Sequence, residues 1–143
     1  MMGDMRTPIW YAEFRGFFWG EGCLDVTRYT SAKTGQIYFA PRARIGMTAY
    51  EKPLLEEIKE EFGGALSFRQ ATNSWTWELK GKDRLIHFCD KMEDGELGAA
   101  KSAQLAIFRG AVAAIPPRGR NYTDEIRAIM QNARDTLSMM KRG

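Results

Sequence analysis

A carboxylate at the wrong end of a helix is the first sign of chemistry in this sequence. The stretch Phe14-Arg15-Gly16-Phe17-Phe18-Trp19-Gly20-Glu21-Gly22 reads as a helix that Gly22 ends. Glu21 then falls in the last turn, where the helix dipole and the unbonded carbonyls are already negative. A cation reverses that penalty: the Glu21 carboxylate and the Gly20 carbonyl are hard oxygen ligands of the kind magnesium takes. The remaining chemistry-bearing residues are mostly basic. Arg42 and Arg44 fall two apart in an alternating run, Arg69 lies in another, and Lys101 precedes an apolar helix. Cys23 and Cys89 are far apart, with no CxxC or Cys/His ligand spacing, which argues against a zinc site and against a disulfide-stapled secreted domain. His87, among apolar neighbours on a helix, reads as structural.

These residues need a scaffold to hold them. The first helix carries Ile9, Trp10, Tyr11, Phe14, Phe17, Phe18 and Trp19 around most of its surface, while Ala12, Gly16 and Gly20 recur every four residues along one ridge. Glycine inside a helix costs roughly 1 kcal/mol relative to alanine, so a ridge with two of them implies close approach of a second backbone. The chain shows a single such ridge, so an identical partner is expected, with Ala12, Gly16 and Gly20 at the dimer interface.

Residues 23–30 alternate and form a strand, residues 31–35 a turn, and residues 36–48 a second strand. In the second strand Ile37, Phe39, Ala43 and Ile45 share one face and Tyr38, Arg42 and Arg44 the other, with Pro41 predicting an edge or a bulge. An amphipathic helix follows over 49–62, with Leu54, Leu55, Ile58 and Phe62 inward and Glu56, Glu57, Lys59, Glu60 and Glu61 outward. Gly63-Gly64 stops it. A second hairpin over 65–80 turns Leu66, Phe68, Trp75, Trp77 and Leu79 inward, and Ser67, Arg69, Thr76 and Glu78 outward. A helix over 82–92 completes the order helix, strand, strand, helix, strand, strand, helix. That order predicts an α+β domain, with helices on one face of a four-stranded antiparallel sheet. Further helices are predicted over 97–115 and, capped by Thr123, over 124–140, with Ile126, Ile129, Met130, Ala133 and Leu137 inward. The expectation is one domain over 1–143, with an αββαββα core at 8–93 and C-terminal helices at 94–143.

The 14–22 stretch resembles the signature helix of the LAGLIDADG homing endonucleases. Gly16 matches the motif's glycine, Gly20 its small seventh position, and Glu21-Gly22 its closing acidic-glycine pair, while Arg15 and Trp19 depart at positions that do not bind metal. The element order is similar to that family's fold over the first two-thirds of the chain. The resemblance implies a saddle-shaped sheet whose concave face enters the major groove, and two signature helices side by side. It also implies a homodimer that hydrolyses one phosphodiester in each strand of a pseudo-palindromic double-stranded DNA target. Glu21 of each subunit would bind Mg²⁺, or Mn²⁺ in its place. By the same resemblance Lys101, in a Lys-x-x-Gln stretch with Gln104, would steer water or stabilise the transition state, and Arg44 would lie near the scissile phosphate.

For readout of bases the outward face offers Asp25, Thr27, Tyr29, Tyr38, Arg42 and Arg69. Arginine suits guanine, and Asp25 would accept from cytosine or buttress an arginine. Lys33, Lys80, Lys82, Arg118 and Arg120 stand at loop ends, as phosphate contacts do.

A net charge of +3 and a pI near 8.9 permit nucleic-acid binding without demanding it. No signal peptide or membrane-spanning run is visible, so a soluble protein in the cytoplasm or an organelle of its host is expected, with no membrane partner. Two other readings stand beside the endonuclease: a nuclease-inactive relative that binds nucleic acid, such as an RNA maturase or transcription regulator, and an unrelated small enzyme or interaction module whose first helix merely dimerises.

Overall fold

The structure is a computed structural model that describes residues 6–95, 97–117 and 122–142. Its elements follow the expected order: α1 (Pro8–Glu21), β1 (Gly22–Thr30), β2 (Ile37–Thr48), α2 (Lys52–Phe62), β3 (Ala65–Arg69), β4 (Ser74–Leu79), α3 (Lys82–Glu93), α4 (Ala99–Ala114) and α5 (Asp124–Arg142). The four strands form one sheet in the order β1-β2-β4-β3. β2 pairs antiparallel with β4 from Ala43↔Leu79 to Thr48↔Ser74, and β3 pairs antiparallel with β4 from Ala65↔Glu78 to Arg69↔Ser74. Among the described residues no helix is long and apolar enough to cross a membrane.

The chain gathers into two compact units. The first takes the chain up to Cys23 together with Ala43 onward through α3; the second takes Leu24–Arg42 together with the chain from Leu97 onward.

In the first unit α1 starts on Thr7, whose Oγ1 accepts from the Trp10 N–H at 3.0 Å, with Pro8 at the first turn where a missing N–H is harmless. The helix buries Tyr11, Phe14 and Phe18. Phe14 meets Phe62 at 4.9 Å between ring centroids, Phe18 meets Phe88 at 5.1 Å, and Phe62 meets Phe88 at 5.7 Å. Leu55, Ile58, Trp77, Leu79, Leu85 and Met92 close this aromatic core without exposed surface. Buried aromatic groups of this size dominate the hydrophobic driving force.

Several local expectations are sharpened or corrected here. Gly22 ends α1 as expected, and does so in extended conformation (φ −94°, ψ 174°). Its small size matters because a Cβ there would meet the Phe18 ring at 2.5 Å and the Phe18 carbonyl oxygen at 2.7 Å. β2 is an interior strand of the sheet, but Pro41 falls in its Ile37–Arg42 stretch, before the β4 ladder begins at Ala43, so its missing N–H costs no ladder bond there, as at an edge. Phe68, expected inward, is 45% exposed, because β3 is an edge strand and Phe68 rests on Trp75 (5.2 Å between rings) rather than in the core. The outward face of α2 is not wholly solvated. Trp10 donates its indole N–H to Glu57, Tyr11 donates to Glu61 Oε2 at 2.5 Å, and His87 Nε2 lies 3.0 Å from that same oxygen.

The second unit packs α4 on α5 around Leu105, Phe108, Ala111, Val112, Met130, Ala133 and Leu137, with Leu24, Val26 and Phe39 of the β1-β2 hairpin also buried. Thr123 Oγ1 accepts from the Ile126 N–H at 3.1 Å and starts α5 as expected. Ile129, expected inward, is 42% exposed. The buried seam of α5 runs through Met130, Ala133 and Leu137, and a neighbour one residue off that seam is turned about 100° away.

Candidate nucleic-acid interface

Alternation in the strands sorts the surface. With Ala43 and Ile45 buried beneath β2, and Trp77 and Leu79 beneath β4, the residues between them face outward. Register then sets them in rows: Arg44 opposite Glu78, Gly46 opposite Thr76, Thr48 opposite Ser74, with Ser67 of β3 opposite Thr76 and Arg69 opposite Ser74. Gly46, Thr48, Ser74 and Thr76 make the floor of a trough of about 640 Å³ in the first unit. Glu21, at the C-terminal foot of α1, lines it together with Arg44, Arg69, Thr48, Thr72, Ser74, Thr76 and Tyr50. Glu21 and Arg69 are exposed and Arg44 is half-buried. Thr72 and Ser74 hydroxyls bond each other at 2.6 Å. Two carboxylates, Glu21 and Glu51, two guanidinium groups and a bed of hydroxyls line the trough; guanidinium groups bind phosphodiester oxygens through charge-assisted hydrogen bonds, and the Glu21 carboxylate offers a ligand to a divalent cation.

Above the trough, α1 presents a bare ridge. Ala12, Gly16 and Gly20 are exposed, and a Cβ built at Gly16 or Gly20 would meet nothing within 4 Å. Ile9, one turn earlier, is 70% exposed.

In the second unit, the outward face of the β1-β2 hairpin brings Asp25, Thr27 and Arg42 to a pocket of about 460 Å³, completed by Arg134, Asp135, Ser138, Met139 and Lys141 of α5. Arg42 and Asp25 form a two-point ion pair. Thr27 Oγ1 donates to the Ala40 carbonyl at 3.0 Å. Nearer the tip, Tyr29 stacks on Tyr38, with centroids 5.7 Å apart and planes at 26°. Tyr122 stands edge-on to Tyr38 at 5.3 Å and donates its hydroxyl to the Phe39 carbonyl at 2.6 Å. Burial raises the Tyr122 phenol above its ordinary 10.0, with the neighbouring Tyr29 adding to the shift, so it is a neutral donor at physiological pH.

The structure thus gathers Glu21, Arg44 and Arg69 on one trough, Asp25, Thr27 and Arg42 on one pocket, and Tyr29 with Tyr38 in one stack. Lys33 is exposed in the hairpin turn. Lys80 is exposed and pairs with Glu78 at 3.0 Å. Lys82 opens α3 and is half-buried, and Lys101 lies half-buried in the first turn of α4, in the second unit. Arg118 and Arg120 lie outside the described residues. Reading the sequence alone turned Thr76 outward but did not join it with Thr48 and Ser74 in a hydroxyl floor beside Glu21, and it missed Tyr122, Arg127, Arg134 and Lys141. The alternation of β4 held the only signal for the floor; nothing local marked the others.

Known proteins share this chain's family signature and its fold. A family model described as LAGLIDADG endonuclease matches residues 14–112. The fold is similar to that of the homing endonuclease I-TnaI, with TM-score 0.70, 21% identity, and 92% of this chain and 95% of that chain covered. It is also similar to I-CvuI, solved with a DNA target in the presence of magnesium, with TM-score 0.75, 14% identity, and 94% and 83% covered. The archaeal intron-encoded I-Vdi141I, solved with DNA, gives TM-score 0.61, 15% identity, and 92% and 98% covered. No curated protein matches the chain in sequence.

Proposed function

The chain belongs to the LAGLIDADG endonuclease family, and from that premise we propose that it is a site-specific homing endonuclease, cutting both strands of a DNA target as a Mg²⁺-dependent homodimer. The observation that carries the reading is the trough, where Glu21 shares one surface with Arg44 and Arg69.

The donor set fits a magnesium ion. Among the described residues no group of three or more His, Cys, Asp or Glu is arranged to cage a metal. One chain therefore offers an open site, the Glu21 carboxylate and the Gly20 carbonyl. Magnesium is commonly held by one or two carboxylates, with waters and substrate phosphate in the remaining positions. When bound, it would supply Lewis acidity at the phosphoryl oxygen and lower the pKa of water. Arg44 and Arg69 would bind phosphate oxygens and stabilise charge that builds on them during hydrolysis. Lys101 is the residue that the resemblance nominates as the base steering water.

A second copy completes the proposal. The bare ridge of Ala12, Gly16 and Gly20 suits close packing of two identical helices, which would set one Glu21 from each copy side by side for two strands. Asp25, Thr27, Tyr29, Tyr38 and Arg42 would face base edges, with Arg69, first expected among them, assigned to the phosphate beside Glu21 instead, and Lys33, Lys80, Lys82, Arg118 and Arg120 would contact phosphates.

The test is cleavage of a randomised plasmid library with Mg²⁺. Double-strand cutting at one recurring site is expected, abolished by EDTA and by Glu21→Gln, with binding retained in that variant. Binding without any cutting would favour the nuclease-inactive relative, and neither activity would refute the reading.

A further inference from the structure

We propose that Tyr122 and Arg127 are positioning residues for target recognition: standing in for a strand that β2 lacks, they hold the Tyr29–Tyr38 stack as a rigid wall that meets thymine methyl groups. The inference rests on the endonuclease reading, and all of its residues belong to the second unit.

The argument starts from the backbone of β2. Its ladder with β4 covers only Ala43–Thr48, so Ile37–Arg42 runs on beyond that partner. The Ser31 N–H donates to the Gln36 carbonyl at 2.8 Å, and the Thr27 hydroxyl to the Ala40 carbonyl at 3.0 Å. Even-numbered carbonyls here therefore point toward β1, and those of Ile37 and Phe39 point the opposite way. Backbone acceptors on such an edge need partners. Arg127 Nε donates to the Ile37 carbonyl at 2.9 Å and the Tyr122 hydroxyl to the Phe39 carbonyl at 2.6 Å, from 90 and 83 residues away. Arg127 Nη2 also donates to Gln36 Oε1 at 2.8 Å. Two side chains thus replace the hydrogen bonds of a missing strand.

Any polar group could satisfy an edge carbonyl. Tyr122 does more, because its ring locks edge-on against Tyr38, which stacks on Tyr29, and Tyr29 is 54% exposed. Three rings in a row, hydrogen-bonded to backbone at one end, leave an aromatic face open at the other. A rigid aromatic surface loses little conformational entropy on contact. An uncharged apolar face in the major groove selects the 5-methyl of thymine, the one apolar group among the base edges there.

The experiment uses the full-length protein and the target recovered from the library, with each thymidine replaced in turn by deoxyuridine, which removes only the methyl. In the wild type, kcat/KM is expected to fall roughly fourfold at one or two positions per half-site, the effect of one buried methyl-sized group. Tyr29→Ala should level that preference. Tyr122→Phe, which keeps the ring and removes the hydroxyl, and Arg127→Met should weaken it through KM with kcat unchanged, and add nothing in the Tyr29→Ala background. Variants that melt earlier yet keep the full methyl preference would overturn the proposal, as would a wild type indifferent to every methyl. A wild type that neither binds nor cuts DNA would remove the endonuclease reading and this inference with it.

Discussion

Arg42 and Asp25 face each other across β1 and β2 in a forked ion pair, Nε to Oδ1 at 2.7 Å and Nη2 to Oδ2 at 3.1 Å. The side chains are only 20% and 19% exposed, so solvent screens the pair less than a surface bridge. Asp25 thereby sets the direction of the guanidinium on the outward face of the hairpin.

If Arg42 reads a guanine, Asp25→Asn should relax discrimination at that base pair by about 1–3 kcal/mol, because the arginine loses its bidentate anchor. Nonspecific affinity should rise slightly at low salt as one negative charge is removed. Binding to a panel of single-base-pair variants of the target measures both effects. An unaltered base-preference profile would show that Arg42 is not a reader.

The ridge of α1 separates assembly from folding. A Cβ at Gly16 meets nothing within 4 Å in the chain itself, and Gly16→Leu improves helix propensity by up to about 1 kcal/mol. The protomer should melt at the same temperature or higher. Two copies can no longer approach, so sedimentation should report a monomer and double-strand cleavage should vanish. A Gly16→Leu dimer of normal activity would move the interface elsewhere.

Alkaline pH should probe the contact between α1 and α2. Burial, followed by the hydrogen bond to Glu61 and the charge of that group, raises the Tyr11 phenol from 10.0 to about 12. A folded pKa above the unfolded one means stability that is complete below pH 10 and declines as pH rises from about 10 toward 12, by on the order of 2–3 kcal/mol. Urea unfolding across that window should show the decline in the wild type. The slope should be shallower in Tyr11→Phe.

Gly22→Ala should destabilise the first unit by roughly 1–3 kcal/mol, since its Cβ would stand 2.5 Å from the Phe18 ring and a packed core yields little. Chemical denaturation checks this directly. A Gly16→Ala control, with nothing near its Cβ, should not lose stability.

What could be read without coordinates was whatever depends on short-range periodicity. The 3.6-residue pattern of α2 foretold burial of Leu55, Ile58 and Phe62, and the two-residue pattern of β2 foretold burial of Phe39, Ala43 and Ile45. The glycine ridge of α1 and the carboxylate at its foot were visible for the same reason: both lie within a few turns of one helix. Periodicity names a face, however, and does not say how far the neighbouring layer extends along it. Phe68 and Ile129 were misjudged on that account.

The sequence by itself determined the order of elements, the faces of the strands and the unusual first helix. The tertiary structure decided which strands are neighbours, and with that the hydroxyl floor beside Glu21, the interior position of β2 and the bracing of its far end by Tyr122 and Arg127. The physical reason is separation along the chain. Bonds spanning 83 and 90 residues leave no periodic trace near either partner, because they depend on how whole elements pack and not on the local sequence around each residue.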